Sequence, residues 1–150
     1  MPKTLIFTWL GRNSLTPILI DTAYIIALIN RRDKYHAQAQ QLARQLAGQS
    51  LLITDSILLE VGNALARHFR QEAVEIIEQF LNAPEVEIVY TTPALFAAAF
   101  ARYKKYTDKE WGLVDCISFE IMEARGIQQA LTPDQHFVQA RFTVLMKSEA

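Results

Sequence analysis

A single cysteine, Cys116, stands in this chain of 150 residues. It cannot build a disulfide framework, and no Cys/His cluster with metal-ligand spacing accompanies it, a pattern that fits a reducing cytosol. Charge of one sign is not in excess either: 15 Lys and Arg stand against 16 Asp and Glu, a formal net charge of −1. That excludes a strongly basic nucleic-acid coat but leaves room for a local basic rim around a site that handles phosphates. Long apolar runs are also lacking. "LIFTWL" is short and leads into Gly-Arg-Asn-Ser without a small-residue cleavage site, and the next run, "ILI", ends in Asp21. Neither a signal peptide nor a membrane span is expected. Met1 to about Thr16 reads as a poorly structured extension, and 17–150 as one domain with no repeats, linkers or low-complexity tracts.

What is present is ordinary globular material, 51% hydrophobic and 21% charged, in a chain long enough to bury a substantial core. Short continuous apolar runs, "PILI", "LLIT", "VEIVY" and "QQAL", read as strands buried on both faces, and "FTVLM" as a short edge strand. Between them lie helical segments. "TAYIIALIN" is followed by the charged "RRDK" and by "YHAQAQQLARQLAG", with Gly48 as its stop. "DSILLEVGNALARHF" is expected to be capped by Asp55 or Ser56. "EAVEIIEQFLNA", "PALFAAAFARYKKY" and "LVDCISFEIMEARG" follow, the second opened by Pro93 and the third ended by Gly126. Strands alternating with helices imply crossovers and a parallel sheet, an α/β sandwich with helices on both faces.

Four acids fall where such a sheet binds ligands, outside the carboxyl ends of its strands. Asp21 ends the first strand, and Asp134 follows the fourth. Glu60 lies early in the helix leaving the second strand, and Asp115 opens the helix that must run back before the fourth. Helical spacing puts Glu60 on a face with Ile57 and Ala64, and Asp115 on a face with Phe119 and Met122, so both carboxylates are expected along apolar surface. Taken singly, each has a structural reading. Asp21 can end a strand in a turn, Asp115 can favour a helix N-terminus by charge–dipole attraction, and Asp134 in "TPDQHF" can be an N-cap. Together in one pocket they would repel unless a cation sat among them. A set of carboxylates without Cys or His favours Mg²⁺ or Mn²⁺.

The segments "ILIDTAYIIALIN", "SILLEVGNAL", "DKEWGLVDCISFEIMEARGI" and "ALTPDQHFVQARF" resemble, in order and spacing, PIN-domain proteins, in particular the VapC-type toxins of bacterial toxin–antitoxin pairs. The resemblance runs from about Ile18 to Phe142. It implies a three-layer sandwich around a central parallel sheet of about four to five strands, usually in the order 3-2-1-4-5. It also implies a metal-dependent ribonuclease in the cytoplasm, an RNA substrate, a cognate antitoxin, and commonly a homodimer. The family's acidic residues fall on Asp21, Glu60, Asp115 and Asp134, which then serve as catalytic and metal-binding residues, with Mg²⁺ expected and Mn²⁺ suitable. One position departs: where many relatives carry Ser or Thr three residues before the third acid, this chain has Gly112. A binding module with weak or lost catalysis is therefore the alternative function.

Supporting roles follow. Thr22 is expected to brace Asp21, and Asn63 to reach Glu60 or substrate. Arg31, Arg32 and Lys34, with Lys104, Lys105 and Lys109, are expected to grip RNA phosphates near the carboxyl edge. His136 reads as no more than a minor ligand candidate, Phe137 as core, and His36 and His68 as helix-surface residues. Cys116 reads as buried packing. A signalling receiver domain is disfavoured because Asp21 is followed by Thr22, not a second acid, and "QQALTPD" has no Lys. A phosphatase with a DxD nucleophile lacks that motif.

Overall fold

The computed structural model describes residues 16–147; the expected N-terminal extension, Thr16 apart, lies outside the described residues. Five strands, β1 (Ile18–Ile20), β2 (Leu51–Thr54), β3 (Val86–Val89), β4 (Gln129–Leu131) and β5 (Thr143–Val144), carry the sheet. The helices among the described residues are α1 (Thr22–Ile29), α2 (His36–Gln45), α3 (Asp55–Leu65), α4 (Arg70–Asn82), α5 (Pro93–Lys105), α6 (Leu113–Arg125) and α7 (Gln135–Gln139). All pairings are parallel and the order is β3-β2-β1-β4-β5. Fold class and strand order are those expected.

This order contains one reversal. From β1 the chain steps outward to β2 and then β3, and from β3 it crosses back to β4 and β5 on the other side. Right-handed crossovers place the outward connections, α1 to α4, on one face and the return connections, α5 to α7, on the other. The helix packing agrees: α1 lies against α2 and α3, and α3 against α4, whereas α6 packs on α5 and α7. The reversal falls between β1 and β4, where Leu19 pairs with Ala130 and Ile20 with Leu131.

Local chemistry sets the element ends. Thr54, not Asp55 or Ser56, caps α3: its hydroxyl accepts from the Ile57 N–H at 3.1 Å. Asp55 is drawn away, because its carboxylate accepts from the Thr91 N–H at 3.1 Å and the Thr91 hydroxyl at 2.7 Å, tying β2 to the segment after β3. Gly126 ends α6 in the left-handed region, φ 66°, which lets the Ile127 N–H return to Met122 O at 2.9 Å. Arg102 on α5 bridges Glu120 and Glu123 on α6 at 2.5 and 2.6 Å.

The core on the α6 side is aromatic. Phe119 is fully buried. Its ring centroid lies 5.1 Å from that of Trp111, 5.0 Å from Phe137 and 5.7 Å from Phe142. Phe119 thus joins the loop before α6, α7 and the segment leading into β5. Phe119→Ala is expected to cost about 3–5 kcal/mol of folding stability, measured by urea denaturation; a loss below about 1 kcal/mol would mean the cluster is not the keystone of this layer.

Candidate active site

The β1–β4 pair builds the floor of the site. Asp21 follows Ile20 and Thr132 follows Leu131, so these neighbours in register emerge side by side at the carboxyl edge. The Asp21 N–H still pairs with Leu131 O at 3.3 Å, and the Thr132 hydroxyl donates to Asp21 Oδ2 at 2.9 Å. The same Thr132 oxygen accepts from the Asp134 N–H at 3.1 Å. One buried threonine therefore joins the first acid to the turn that carries the fourth. Sequence reasoning passed over Thr132; the signal was a hydroxyl at a strand end two residues before an acid, in "LTPD".

The third acid arrives on α6. Asp115 is the third residue of that helix, and its Oδ2 accepts from the Gly112 N–H at 3.2 Å. Glycine has no side chain to return the favour, so only this half of a capping box exists. Asp134 caps α7 by accepting from the His136 N–H at 2.9 Å. The His136 ring then turns back, with Nδ1 2.9 Å from Asp115 Oδ2 and 3.6 Å from Asp134 Oδ1. One donor atom each from Asp115, Asp134 and His136 lie within 4.8 Å of one another. The structural readings of Asp115 and Asp134 as helix-end acids thus hold alongside their convergence. His136, set aside in the sequence, stands between them.

Glu60 differs from expectation. It is exposed and not along apolar surface, because α3 buries Ile57, Val61 and Leu65 and Glu60 lies about 100° off that stripe. Its Oε1 accepts from the Thr22 hydroxyl at 2.6 Å. Thr22 therefore splits its work: the hydroxyl holds Glu60, and only the backbone N–H serves Asp21. Asn63 is exposed and makes no hydrogen bond to Glu60 among the described residues.

The cations also lie elsewhere than expected. Arg31, Arg32 and Lys34 are exposed in the turn after α1, the far end of that helix from Asp21. Lys104 and Lys105 sit over the rings of Phe100 and Tyr106, and Lys109 pairs with Asp108. His68 is in the turn after α3 and not on a helix. Cys116 and Phe137 are buried, as expected.

The electrostatics show what the site lacks. Burial pushes the Asp21 carboxyl up to about 7, against help from the Thr132 hydroxyl and the Thr22 N–H, and the charges of Asp115 and Asp134 push the same way. Burial raises Asp115 too, opposed by its bonds from His136 and Gly112, while the Asp134 charge adds to the rise. Carboxylates withdrawn from water that lie near one another and resist ionising are suited to a divalent cation. The donor set of carboxylate oxygens with one imidazole nitrogen fits Mg²⁺ or Mn²⁺, and the nitrogen suits Mn²⁺ the better.

Comparison with known proteins adds four findings. The pattern of the PIN domain matches residues 18–143. The 23S rRNA-specific endonuclease VapC20 of Mycobacterium tuberculosis is 26% identical over 125 residues, covering 83% of this chain and 95% of that protein. Its crystal structure, described as a Sarcin-Ricin loop cleaving toxin, superposes with a TM-score of 0.75 at 25% identity, over 84% of this chain and 96% of the other. FitAcB from Neisseria gonorrhoeae shares the fold, with a TM-score of 0.59 at 18% identity over 85% of this chain and 95% of that one.

A raised folded-state value for Asp21 makes stability depend on pH in a definite direction. Folding favours the protonated carboxyl, so its contribution is present below about pH 4 and is lost as pH rises through about 7. In EDTA, Asp21→Asn is therefore expected to match the unsubstituted protein near pH 4 and to be more stable at pH 8, by about 2–4 kcal/mol. Urea titrations at the two pH values measure this; equal stability at both would show that the Asp21 charge is already compensated.

Proposed function

The chain belongs to the PIN domain family, and from that premise we propose that it is a metal-dependent endoribonuclease, the toxin of a toxin–antitoxin pair. The observation that carries the reading is the cluster of Asp115, Asp134 and His136 at the point where the sheet reverses, with Asp21 joined to it through Thr132 and raised by the charges of both acids. Likeness to a 23S rRNA-specific endonuclease over 95% of its length supports RNA as the substrate. The description of VapC20 as a toxin supports a cognate antitoxin as partner. The cytoplasm, where RNA and a lone reduced cysteine coexist, is the expected compartment. No helix among the described residues is long and apolar enough to cross a membrane.

Asp21, Asp115 and Asp134 would hold Mg²⁺ or Mn²⁺, with His136 beside them. When bound, the ion supplies activation of water, neutralisation of charge developing on phosphorus, and in-line orientation. The protein's own groups prepare that arrangement. Thr132 fixes the rotamer of Asp21, and His136 fixes that of Asp115. Glu60, held by the Thr22 hydroxyl, would orient the attacking water. Asn63 is a supporting residue on the open side of α3.

Gly112 is the one feature favouring a binding module with lost catalysis. A Cβ built there meets nothing within 4 Å, so a serine fits, and Gly112→Ser is expected to fold normally. The deciding measurement is cleavage of mixed RNA in Mg²⁺, Mn²⁺ and EDTA. Metal-dependent fragments are expected, reduced about 100-fold or more in Asp21→Asn and in Asp115→Asn, the scale for loss of a preorganised electrostatic partner. A folded protein that neither cleaves nor binds either ion by calorimetry, even with Gly112→Ser, would establish the binding module instead.

The homodimer is proposed to form through α5. Phe96, Phe100 and Tyr103 make an exposed stacked row on that helix, 49%, 42% and 46% accessible, more aromatic surface than a free helix face usually shows. Sedimentation is expected to give a dimer that Phe100→Glu converts to monomer. A dimer that persists in that variant places the interface elsewhere.

A further inference from the structure

Two turns distant from each other in sequence meet at the outer end of the helical layer. α1 and α3 pack together, and the Thr22 hydroxyl at the start of α1 meets Glu60 midway along α3. Their far ends, the turn after α1 and the turn after α3, therefore also come together. There Arg31 and Arg32 line a cleft of about 660 Å³ with His68, Phe69 and Glu72. The eight residues of α1, at 1.5 Å rise each, put this cleft about 12 Å from Thr22.

The charge there is lopsided. The first turn carries Arg31, Arg32 and Lys34, and Arg67 and Arg70 flank His68 and Phe69 in the second. Those five are a third of the 15 Lys and Arg in a chain of net charge −1. None of the five is in an ion pair among the described residues. Lys34 rests on the Tyr35 ring, and Asp33 spends one oxygen on the Tyr35 N–H. Glu72 is the one carboxylate lining the cleft. Exposed like charges gathered without partners contribute nothing to folding and repel one another. Free guanidiniums beside a cleft are the standard means of holding phosphate, each able to give two parallel hydrogen bonds.

We propose that this cleft is a second phosphate-binding site, which holds the backbone of a folded RNA while another part of the same molecule lies at the acids. The inference rests on the endoribonuclease reading and adds a substrate class to it. RNA that presents phosphates at both places, a stem-loop or a packed junction, is held at two points, whereas a short single strand is held at one. Recognition of this kind reads shape and backbone, not base sequence.

The test uses Asp21→Asn, so that RNA is bound and not cut, without divalent ions. Binding of a fluorescent stem-loop from ribosomal RNA and of a short single strand of its loop sequence is followed by anisotropy across a KCl series. The slope of log affinity against log salt is expected to be steeper for the stem-loop by about 2–4, one cleft's worth of phosphate contacts. Adding Arg31→Gln, Arg32→Gln, Arg67→Gln and Arg70→Gln is expected to reduce the stem-loop slope to that of the short strand, with the circular dichroism melt retained. Equal slopes for the two RNAs before the arginines are changed, or a stem-loop slope unmoved by the four changes, would overturn the proposal. So would arginine-dependent binding of poly-glutamate with the RNA slope intact, which would make the cleft a seat for an acidic protein segment. Cleavage is not read in this experiment, so a failed nuclease reading and a failed cleft give different results.

Discussion

The candidate active site depends on the parallel pairing of β1 with β4. Those two strands are separated by more of the chain than any other paired strands, and closing that contact brings Asp21 beside Thr132. It is also where the sheet order reverses, so that the helices leaving the two strands diverge to opposite faces and open a crevice above them. The Thr132 oxygen then links both sides of the crevice, donating to one acid and accepting from the backbone of another. Asp21 and the turn that carries Asp134 come together because β-pairing, not local sequence, fixes where each one emerges, and α6 brings Asp115 to them.

Convergence has an energetic cost. Asp21 is nine-tenths buried or more and resists ionising, and Asp115 is raised by the same burial and by its neighbour's charge. A protein selected for stability alone would not place carboxylates so. Hydrogen bonds from Thr132, Gly112 and His136 offset part of that cost and fix the rotamers, which is the preorganisation a metal-assisted hydrolysis needs. His136 has a double position here. It is a capped helix residue by its N–H, and its ring Nδ1 lies 2.9 Å from Asp115 Oδ2 and 3.6 Å from Asp134 Oδ1.

The surfaces divide the remaining labour. The face formed by α1 to α4 carries the basic cleft at its outer end, while the α5 side carries the aromatic row. Lys104 lies against Phe100 in that row, so its ammonium covers ring surface and does not project toward the acids. The basic cleft and the aromatic row thus lie on different helices.

The alternation of apolar runs with helical segments was enough to determine the α/β class, because period and length are written locally. The placement of Asp21, Asp115 and Asp134 at strand and helix ends was equally legible, since sheet chemistry makes one edge the binding edge. Other features could not be read this way. Glu60 seemed to face apolar surface until packing showed which stripe of α3 is buried, and a one-residue step on a helix is enough to expose a side chain. Thr54 took the cap expected of Asp55 because Thr91, distant in sequence, claimed that carboxylate. Arg31 and Arg32 were expected near the carboxyl edge but lie at the far end of α1, and His68 became their neighbour only when α1 packed on α3. The sequence by itself determined the elements and the acids, which depend on local periodicity and residue type. Only the tertiary structure decided which acids meet, which hydroxyl joins them and where the positive charge gathers, because those depend on contacts between residues far apart in the chain.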